Sequence, residues 1–268
     1  MSADEAGGRG TFSRALTVQL RCISALMVRD MMQRYGRANI GFLWIVLEPL
    51  LLTAGVMIVW SLYRPEEERG VGLLTFVMTG YLPLTLWRHV TQSGVHAFRR
   101  SLALLYHRHI TLLDALLARF ALEFGGTTAA LFTVYGVLAL GGAVGPVGDP
   151  SMALAGWLSL MILSVGIAIV FAVLTEYSEA TERFIQPIQY VILPLSGAFF
   201  MVEWLPDEAQ EFALYIPTVH CYEMFRAGFL GDAVKTHYTA WYPIATGLVL
   251  ASLGLASIES VRDKLHLS

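Results

Sequence analysis

The chain has 268 residues, of which 56% are hydrophobic and only 15% are charged, and its mean hydropathy is +0.59. Soluble domains carry a smaller apolar share and about a quarter charged residues, so this composition excludes an ordinary soluble domain and predicts an integral membrane protein. The net charge of −3 says little about orientation, because orientation follows the distribution of Lys and Arg between the two membrane sides.

Residues 1–38 precede the first apolar segment and form the first predicted unit, a cytoplasmic tail followed by an interface helix. Residues 2–10 are small and polar, which predicts a disordered end. Beyond them an apolar side chain recurs every three or four residues from Phe12 to Tyr35, while Arg14, Arg21 and Arg29 fall on the opposite face. This pattern indicates an amphipathic helix in the cytoplasmic membrane interface, or alternatively a helix that docks a soluble partner.

Residues 39–268 form the second predicted unit, a transmembrane domain. Crossing a membrane takes about 20 apolar residues in a helix, and six segments are candidates: 40–62, 71–89, 110–140, 152–174, 184–202 and 241–258. These are continuous runs of Leu, Val, Ile and Ala, whereas a membrane β-barrel needs segments of about ten residues with alternating polarity. The sequence therefore predicts an all-α polytopic membrane protein with six spans.

The basic residues predict the orientation. With a cytoplasmic N-terminus, twelve Lys and Arg residues fall on the cytoplasmic side and four on the other, which places both termini inside. Cys22 and Cys221 then lie on opposite sides, so they cannot form an intrachain disulfide. No signal peptide precedes the first span, because residues 1–38 contain no uninterrupted apolar stretch.

Three connecting segments differ in character. Residues 64–70 read as a short, charged, solvated turn. The basic segment 98–110, "FRRSLALLYHRHI", has apolar positions at helical spacing, so it is either a cytoplasmic helix that a partner binds or a loop that only sets topology. Residues 203–240 are too apolar for a simple loop but are interrupted by Pro206, Pro217 and Gly228. We interpret them as two short helices that dip into the outer leaflet, with protein burying their backbone.

Motifs for catalysis are absent from the sequence. It contains no Gly-x-x-x-x-Gly-Lys-Ser/Thr phosphate loop, no His-Glu-x-x-His, and no metal-ligand spacing among its histidines. We therefore predict no enzyme activity, nucleotide site or metal site in this chain.

Four charged residues lie within or at the edge of the predicted spans. Glu48 precedes Pro49, which removes a helix hydrogen bond and predicts a bend in the first span. By depth, Glu48 matches Arg119, so pairing is expected to relieve the cost of burying a lone charge. The sequence predicts one neutral cluster, either static or involved in gating, formed by Glu48, Arg88, Arg119 and Glu123.

The segment "RYGRANIGFLWIVLEPLLLTAGV" (34–56) resembles the start of the permease subunits of capsular polysaccharide ABC exporters of Gram-negative bacteria. The later stretches "PLSGAFF", "WLP" and "IPTVHCYEMFRAGFLGD" resemble the fifth span and re-entrant region of the same family. Related permeases for O-antigen and teichoic acid share a Gly-x-Leu-Trp pattern, while the Glu-Pro pair favours the capsule branch.

The resemblance implies a type-2 ABC exporter fold with an N-terminal interface helix, six spans and a re-entrant helical pair between spans five and six. It implies a homodimer bound to two ATPase subunits, which hold ATP and magnesium, and further partners in the periplasm and outer membrane. The implied substrate is a lipid-linked, often acidic glycan that crosses the inner membrane.

The resemblance also implies roles for particular residues. The lipid phosphate would enter beside Arg34, Tyr35, Arg37 and Asn39. The aromatic candidates for the glycan path are Phe42, Trp44, Trp60, Phe199 and Phe200. Segment 98–110 would be the helix that couples to the ATPase, through Arg99, Arg100, Tyr106, His107, Arg108 and His109.

Two other functions are compatible with the same residues. One is a proton-coupled carrier that uses Glu48 and Glu123 as relay groups. The other is a membrane-embedded enzyme that acts on lipid-linked sugars.

Overall fold

A computed structural model describes residues 4–35, 41–65, 67–95, 97–98 and 111–266 of the chain. Within these ranges the protein is mostly helical, with nine α-helices: α1 (Asp4–Tyr35), α2 (Gly41–Tyr63), α3 (Leu73–Gly94), α4 (Leu112–Leu140), α5 (Pro150–Tyr177), α6 (Glu179–Ile192), α7 (Asp207–Ala213), α8 (Pro217–Leu230) and α9 (Trp241–His266). Short 3-10 turns occur at Leu193–Leu195, Val202–Trp204 and Gly231–Ala233.

Four helices of the described chain are long and apolar enough to cross a membrane. They are α2, α4, α5 and α9, through their segments Val46–Tyr63, Leu113–Leu140, Pro150–Tyr177 and Trp241–Ile258. Helix α3 has 22 residues, about 33 Å at the usual helical rise, but it is less apolar. An all-α polytopic membrane protein was expected, and these helices agree with it.

The predicted span 184–202 is not a single helix. The sequence "EYSEATERF" (176–184), which follows the fourth predicted span, reads as an acidic loop. Helix α6 starts inside it, at Glu179, and ends at Ile192. A 3-10 turn and then Gly197, at φ +97°, follow it. Only Ser178, in an extended conformation, separates α5 from α6, so one residue replaces the predicted loop.

Helix α1 begins earlier than predicted, because residues 4–10 are helical where a disordered end was expected. The helix packs against α2 and α4. Two polar contacts hold it there: Gln19 Nε2 donates to Asp114 Oδ1 at 3.0 Å, and Asp30 pairs with Arg119. Thr111 and Asp114 also form the capping box that starts α4, so α1 docks on the first turn of that helix.

Helix α5 lies at the centre of the bundle, where it packs against α3, α6, α8 and α9. Its crossing with α9 is close, because a Cβ on Gly166 would lie only 2.3 Å from the Gly247 carbonyl oxygen. Small residues permit such backbone approach between membrane helices.

The segment between α2 and α3 forms an antiparallel hairpin of two strands with two residues each. Glu67 pairs with Gly72, and Glu68 pairs with Val71. Arg69 and Gly70 turn the chain with positive φ angles of 51° and 81°. Its described residues between 64 and 70 are exposed, as a solvated turn predicts. Val71, which begins the second strand, is buried against Phe76 and Met201.

Candidate functional site

A polar cavity of about 150 Å³ lies between α3 and α6. It is called the glutamine pocket here, and it is lined by Arg88, His89, Gln92, Gln186, Gln189, Tyr190 and Leu193. The lining positions recur at helical spacing on each helix, so each helix presents one face to the cavity.

The side chains of the glutamine pocket are held by specific contacts. Gln189 is buried and donates from Nε2 to Thr91 Oγ1 at 2.9 Å. The Arg88 guanidinium carbon lies 5.7 Å from the centre of the Tyr190 ring, a cation–π distance. His89 Nδ1 lies 3.3 Å from Glu123 Oε2. The polar and aromatic groups of the pocket are therefore one guanidinium, one imidazole, three amides and one phenol ring.

The predicted cluster around Glu48 is wrong in its pairing. Arg119 Nε donates to Asp30 Oδ2 at 3.0 Å, in a pair whose side chains are only 5% and 13% exposed. Glu123 lies beside His89 instead. Among the residues that the structure describes, neither Arg88 nor Arg119 forms an ion pair with Glu48. The physical reason is that α1 packs against α4 and supplies a nearer carboxylate.

Helix α2 continues through Pro49 from Gly41 to Tyr63. Thr53 is fully buried one turn later, and its hydroxyl donates to the Pro49 carbonyl oxygen at 2.7 Å. The predicted bend at Pro49 and the gating role of Glu48 stay predictions.

A second group of side chains, the aromatic cluster, consists of Trp60, Phe76, Phe199 and Trp204. The Trp60 ring centre lies 6.2 Å from that of Phe76 and 6.0 Å from that of Phe199, and Phe76 and Trp204 are 4.9 Å apart. Two of the predicted path aromatics, Trp60 and Phe199, are therefore neighbours in the fold.

The other path candidates are placed separately. The Trp44 side chain is 47% exposed on α2, and Phe200 is half-buried in the turn after α6. The Phe42 side chain lies outside the part of the chain that the structure describes.

Sequence reasoning missed the roles of Arg226 and Glu223 on α8. Arg226 is completely buried and donates to the carbonyl oxygens of Gly197 and Ala198 at 2.8 Å each, and to that of Phe200. Its guanidinium also lies over the Phe76 ring, 4.6 Å from the centre. The sequence analysis counted Arg226 among the four basic residues of the non-cytoplasmic side and did not predict its burial. The available signal was a Glu and an Arg three residues apart within the apolar stretch "HCYEMFRAGF".

Glu223 completes the attachment of α8 to its neighbouring turns. Its carboxylate accepts hydrogen bonds from the backbone amides of Val202, at 3.2 Å, and His237, at 2.9 Å. Helix α8 thus holds residues 197–202 and the segment before α9 in place.

Glu203 lies next to this region and is exposed. Its Oε2 atom is 2.7 Å from His237 Nε2, and this hydrogen bond holds the pKa of the Glu203 carboxyl below its ordinary value. A lowered carboxyl pKa means that the bond stabilises the fold above the ordinary glutamate pKa. That contribution is lost as the pH falls through the lowered value.

The remaining predicted site residues lie outside the described residues, wholly or in their side chains. Helix α1 ends at Tyr35, but the Arg34 and Tyr35 side chains are outside that part of the chain. The same is true of Arg37 and Asn39 and of the predicted coupling residues Arg99, Arg100, Tyr106, His107, Arg108 and His109. Their roles stay predictions.

Long apolar helices around a buried ion pair and a polar cavity define a polytopic membrane protein. Residues 21–230 match the family described as ABC-2 type transporter, and the chain belongs to this family.

The chain is also similar to individual proteins along almost its whole length. It is 38% identical over 249 residues to the capsule polysaccharide export inner-membrane protein CtrC of Neisseria meningitidis serogroup B, covering 93% of this chain and 94% of CtrC. It is 34% identical over 254 residues to the protein of the same description, BexB, from Haemophilus influenzae, covering 95% and 96%. The polysialic acid transport protein KpsM of Escherichia coli is 23% identical over 236 residues, covering 85% and 90%. The resemblance predicted from the sequence is confirmed.

Proposed function

We propose that this chain is the membrane subunit of an ATP-driven exporter that moves lipid-linked capsular polysaccharide across the bacterial inner membrane. The observation that carries the proposal is the identity of 34–38% with CtrC and BexB over more than 90% of each chain. Both relatives are described as inner-membrane proteins of capsule polysaccharide export.

In the proposed topology both termini are cytoplasmic and six segments cross the membrane. Helices α3 and α6, the latter with its following turn, join the four long apolar helices as spans. Residues 203–240, with α7 and α8, form the re-entrant region. The length of α8 supports this assignment, because 14 residues extend about 21 Å, less than the roughly 30 Å hydrocarbon core. Its burial against α5 supplies the protein cover that a re-entrant helix needs.

The energy source is a separate ATPase, because the chain has no phosphate-binding loop. A homodimer of this chain binds two such ATPase subunits through residues 98–110. The ATPase subunits, not this chain, bind ATP and magnesium. Periplasmic and outer-membrane proteins carry the glycan onward.

The substrate enters at the cytoplasmic interface and leaves past aromatic side chains. Arg34 and Arg37, with Tyr35 and Asn39 beside them, receive the lipid phosphate, since a guanidinium binds phosphate through two hydrogen bonds. The contact of Trp60 with Phe199 supports their place on a glycan path, because flat aromatic faces allow sugar rings to slide. The Arg34→Gln/Arg37→Gln double variant should fold but leave polymer inside the cell.

Deleting the gene in its host tests the proposed function. We expect surface polysaccharide to disappear and polymer of normal composition to accumulate in the cytoplasm, and plasmid-borne wild-type gene to restore the surface polymer. Unchanged surface polymer would contradict the proposal. Loss of polymer both inside and outside would instead indicate an enzyme of polymer synthesis.

A further inference from the structure

We propose that the glutamine pocket binds one acidic sugar unit of the exported glycan, with Arg88 recognising its anionic group. The proposal rests on the proposed function, because only a glycan exporter brings such a unit to this site. It assigns a ligand class to residues that neither the family match nor the names of the relatives describe.

Arg88 brings a positive charge to the pocket. Arg119 has a carboxylate partner at 3.0 Å, whereas no carboxylate of the described chain pairs with Arg88. The neighbouring carboxylate of Glu123 is instead beside His89 and does not line the cavity. Within the part of the chain that the structure describes, the Arg88 guanidinium in the pocket therefore has no carboxylate partner, which favours an anionic ligand. A guanidinium can bind a carboxylate or phosphate through two parallel hydrogen bonds.

The groups around the Arg88 charge suit the hydroxyl groups and the ring of a sugar. Gln92, Gln186 and Gln189 each carry a donor and an acceptor, as hydroxyl groups of a sugar require. Tyr190 offers a flat ring face, which suits the apolar face of a sugar. Gln189 is fixed by its bond to Thr91, so part of the site is already organised before a ligand arrives.

The volume of the cavity suits a small ligand. Ligand pockets for drug-sized molecules measure roughly 300–1,000 Å³, whereas this cavity holds about 150 Å³. It fits a single sugar unit and leaves the rest of a polymer outside. A site that contacts one unit at a time binds weakly, which suits a conduit through which a long chain must pass.

The test uses the full-length wild-type protein in phosphatidylcholine nanodiscs. Saturation-transfer-difference NMR would compare glucuronic acid with glucose, which differs in having a hydroxymethyl group in place of the carboxylate. We expect a transfer signal for glucuronic acid at least fivefold stronger than for glucose. Arg88→Gln should lower the glucuronic acid signal at least fivefold, and Arg88→Lys should retain part of it.

The matched control is Arg183→Gln, which removes a positive charge from an exposed position of α6 outside the pocket. It should leave the signal unchanged. If Arg88→Gln does not fold, Gln186→Ala provides the second variant, because Gln186 is exposed and its replacement should weaken the signal without unfolding the protein.

Three results would overturn the proposal. They are equal signals for the two sugars, a glucuronic acid signal that survives in Arg88→Gln or Gln186→Ala, and a signal abolished when phosphatidylglycerol is added to the nanodiscs. The last result would assign the pocket to a lipid headgroup. The measurement needs neither ATP nor export, so its failure would leave the gene-deletion result standing and the two proposals can fail separately.

Discussion

At the residue scale, the two arginines within or beside the spans have different surroundings. Arg119 is neutralised by Asp30, a residue 89 positions earlier in the chain, while Arg88 remains in the glutamine pocket beside Tyr190. Their difference assigns a structural role to Arg119 and supports the proposed ligand contact of Arg88.

Asp30→Asn should strongly destabilise the protein, because it leaves the Arg119 guanidinium buried without its counter-charge. Breaking a buried ion pair from one side costs about 3–5 kcal/mol. The double variant Asp30→Asn/Arg119→Gln should recover much of that loss. Denaturant unfolding in detergent measures the stability of both variants. A double variant no more stable than Asp30→Asn alone would contradict the pairing of Asp30 with Arg119.

Arg226→Lys should also destabilise the protein, although the positive charge is kept. A lysine cannot supply the planar set of donors that reaches the carbonyl oxygens of Gly197, Ala198 and Phe200. We expect a lower melting temperature and faster proteolysis within residues 197–202. The matched control is Arg69→Lys, because Arg69 is exposed and, among the described residues, donates only to the Trp204 carbonyl oxygen, at 3.2 Å. Equal effects of the two variants would argue against a special role for Arg226.

At the element scale, the central feature is the close crossing of α5 and α9. Gly166 and Gly247 bring the two backbones together, since any side chain on Gly166 would meet the Gly247 carbonyl oxygen. The crossing depends on small residues on both helices, as in many membrane helix pairs.

Gly166→Val should separate α5 from α9 and lower the melting temperature of the purified protein, with the loss of about 1–3 kcal/mol typical of overpacking. Gly136→Val on α4 is the control, because a Cβ on Gly136 would meet nothing within 4 Å. Thermal unfolding in detergent compares the two. A Gly166→Val protein as stable as the control would show that the crossing tolerates a wider spacing.

The sequence predicted best the helices that consist of one continuous run of apolar residues. Four of the six expected spans correspond to long apolar helices, because a run of Leu, Val and Ile is visible without knowing its neighbours. The start of α6 was missed because its first two turns are polar, and only the extended residue Ser178 separates it from α5.

The side-chain contacts of the candidate site could not be predicted in the same way. Depth along each span suggested that Glu48 and Arg119 meet, but the outcome depends on the packing of α1 against α4, which brings Asp30 to Arg119. Likewise, the glutamine pocket needs the faces of α3 and α6 to lie side by side, and one sequence does not show which helices are neighbours. The roles of Arg226 and Glu223 required the position of α8 beside the turn after α6.

At the scale of the whole molecule, the bundle combines a central helix, α5, with two polar features of different kinds. The glutamine pocket lies between α3 and α6, and α8 fixes the turn that carries Phe199 of the aromatic cluster. In the proposed topology these features lie at different depths of one transmembrane domain, so a glycan could meet first a polar and then an aromatic surface.

The most direct test of the proposed export is polysaccharide transfer into inverted inner-membrane vesicles that contain this chain and its partner ATPase. The account predicts that, after ATP is added, lipid-linked polymer becomes protected from an externally added glycosidase. It also predicts no protection with a non-hydrolysable ATP analogue or in vesicles lacking this chain. Protection driven by a proton gradient without ATP, or polymer chemically altered by this chain alone, would contradict the account.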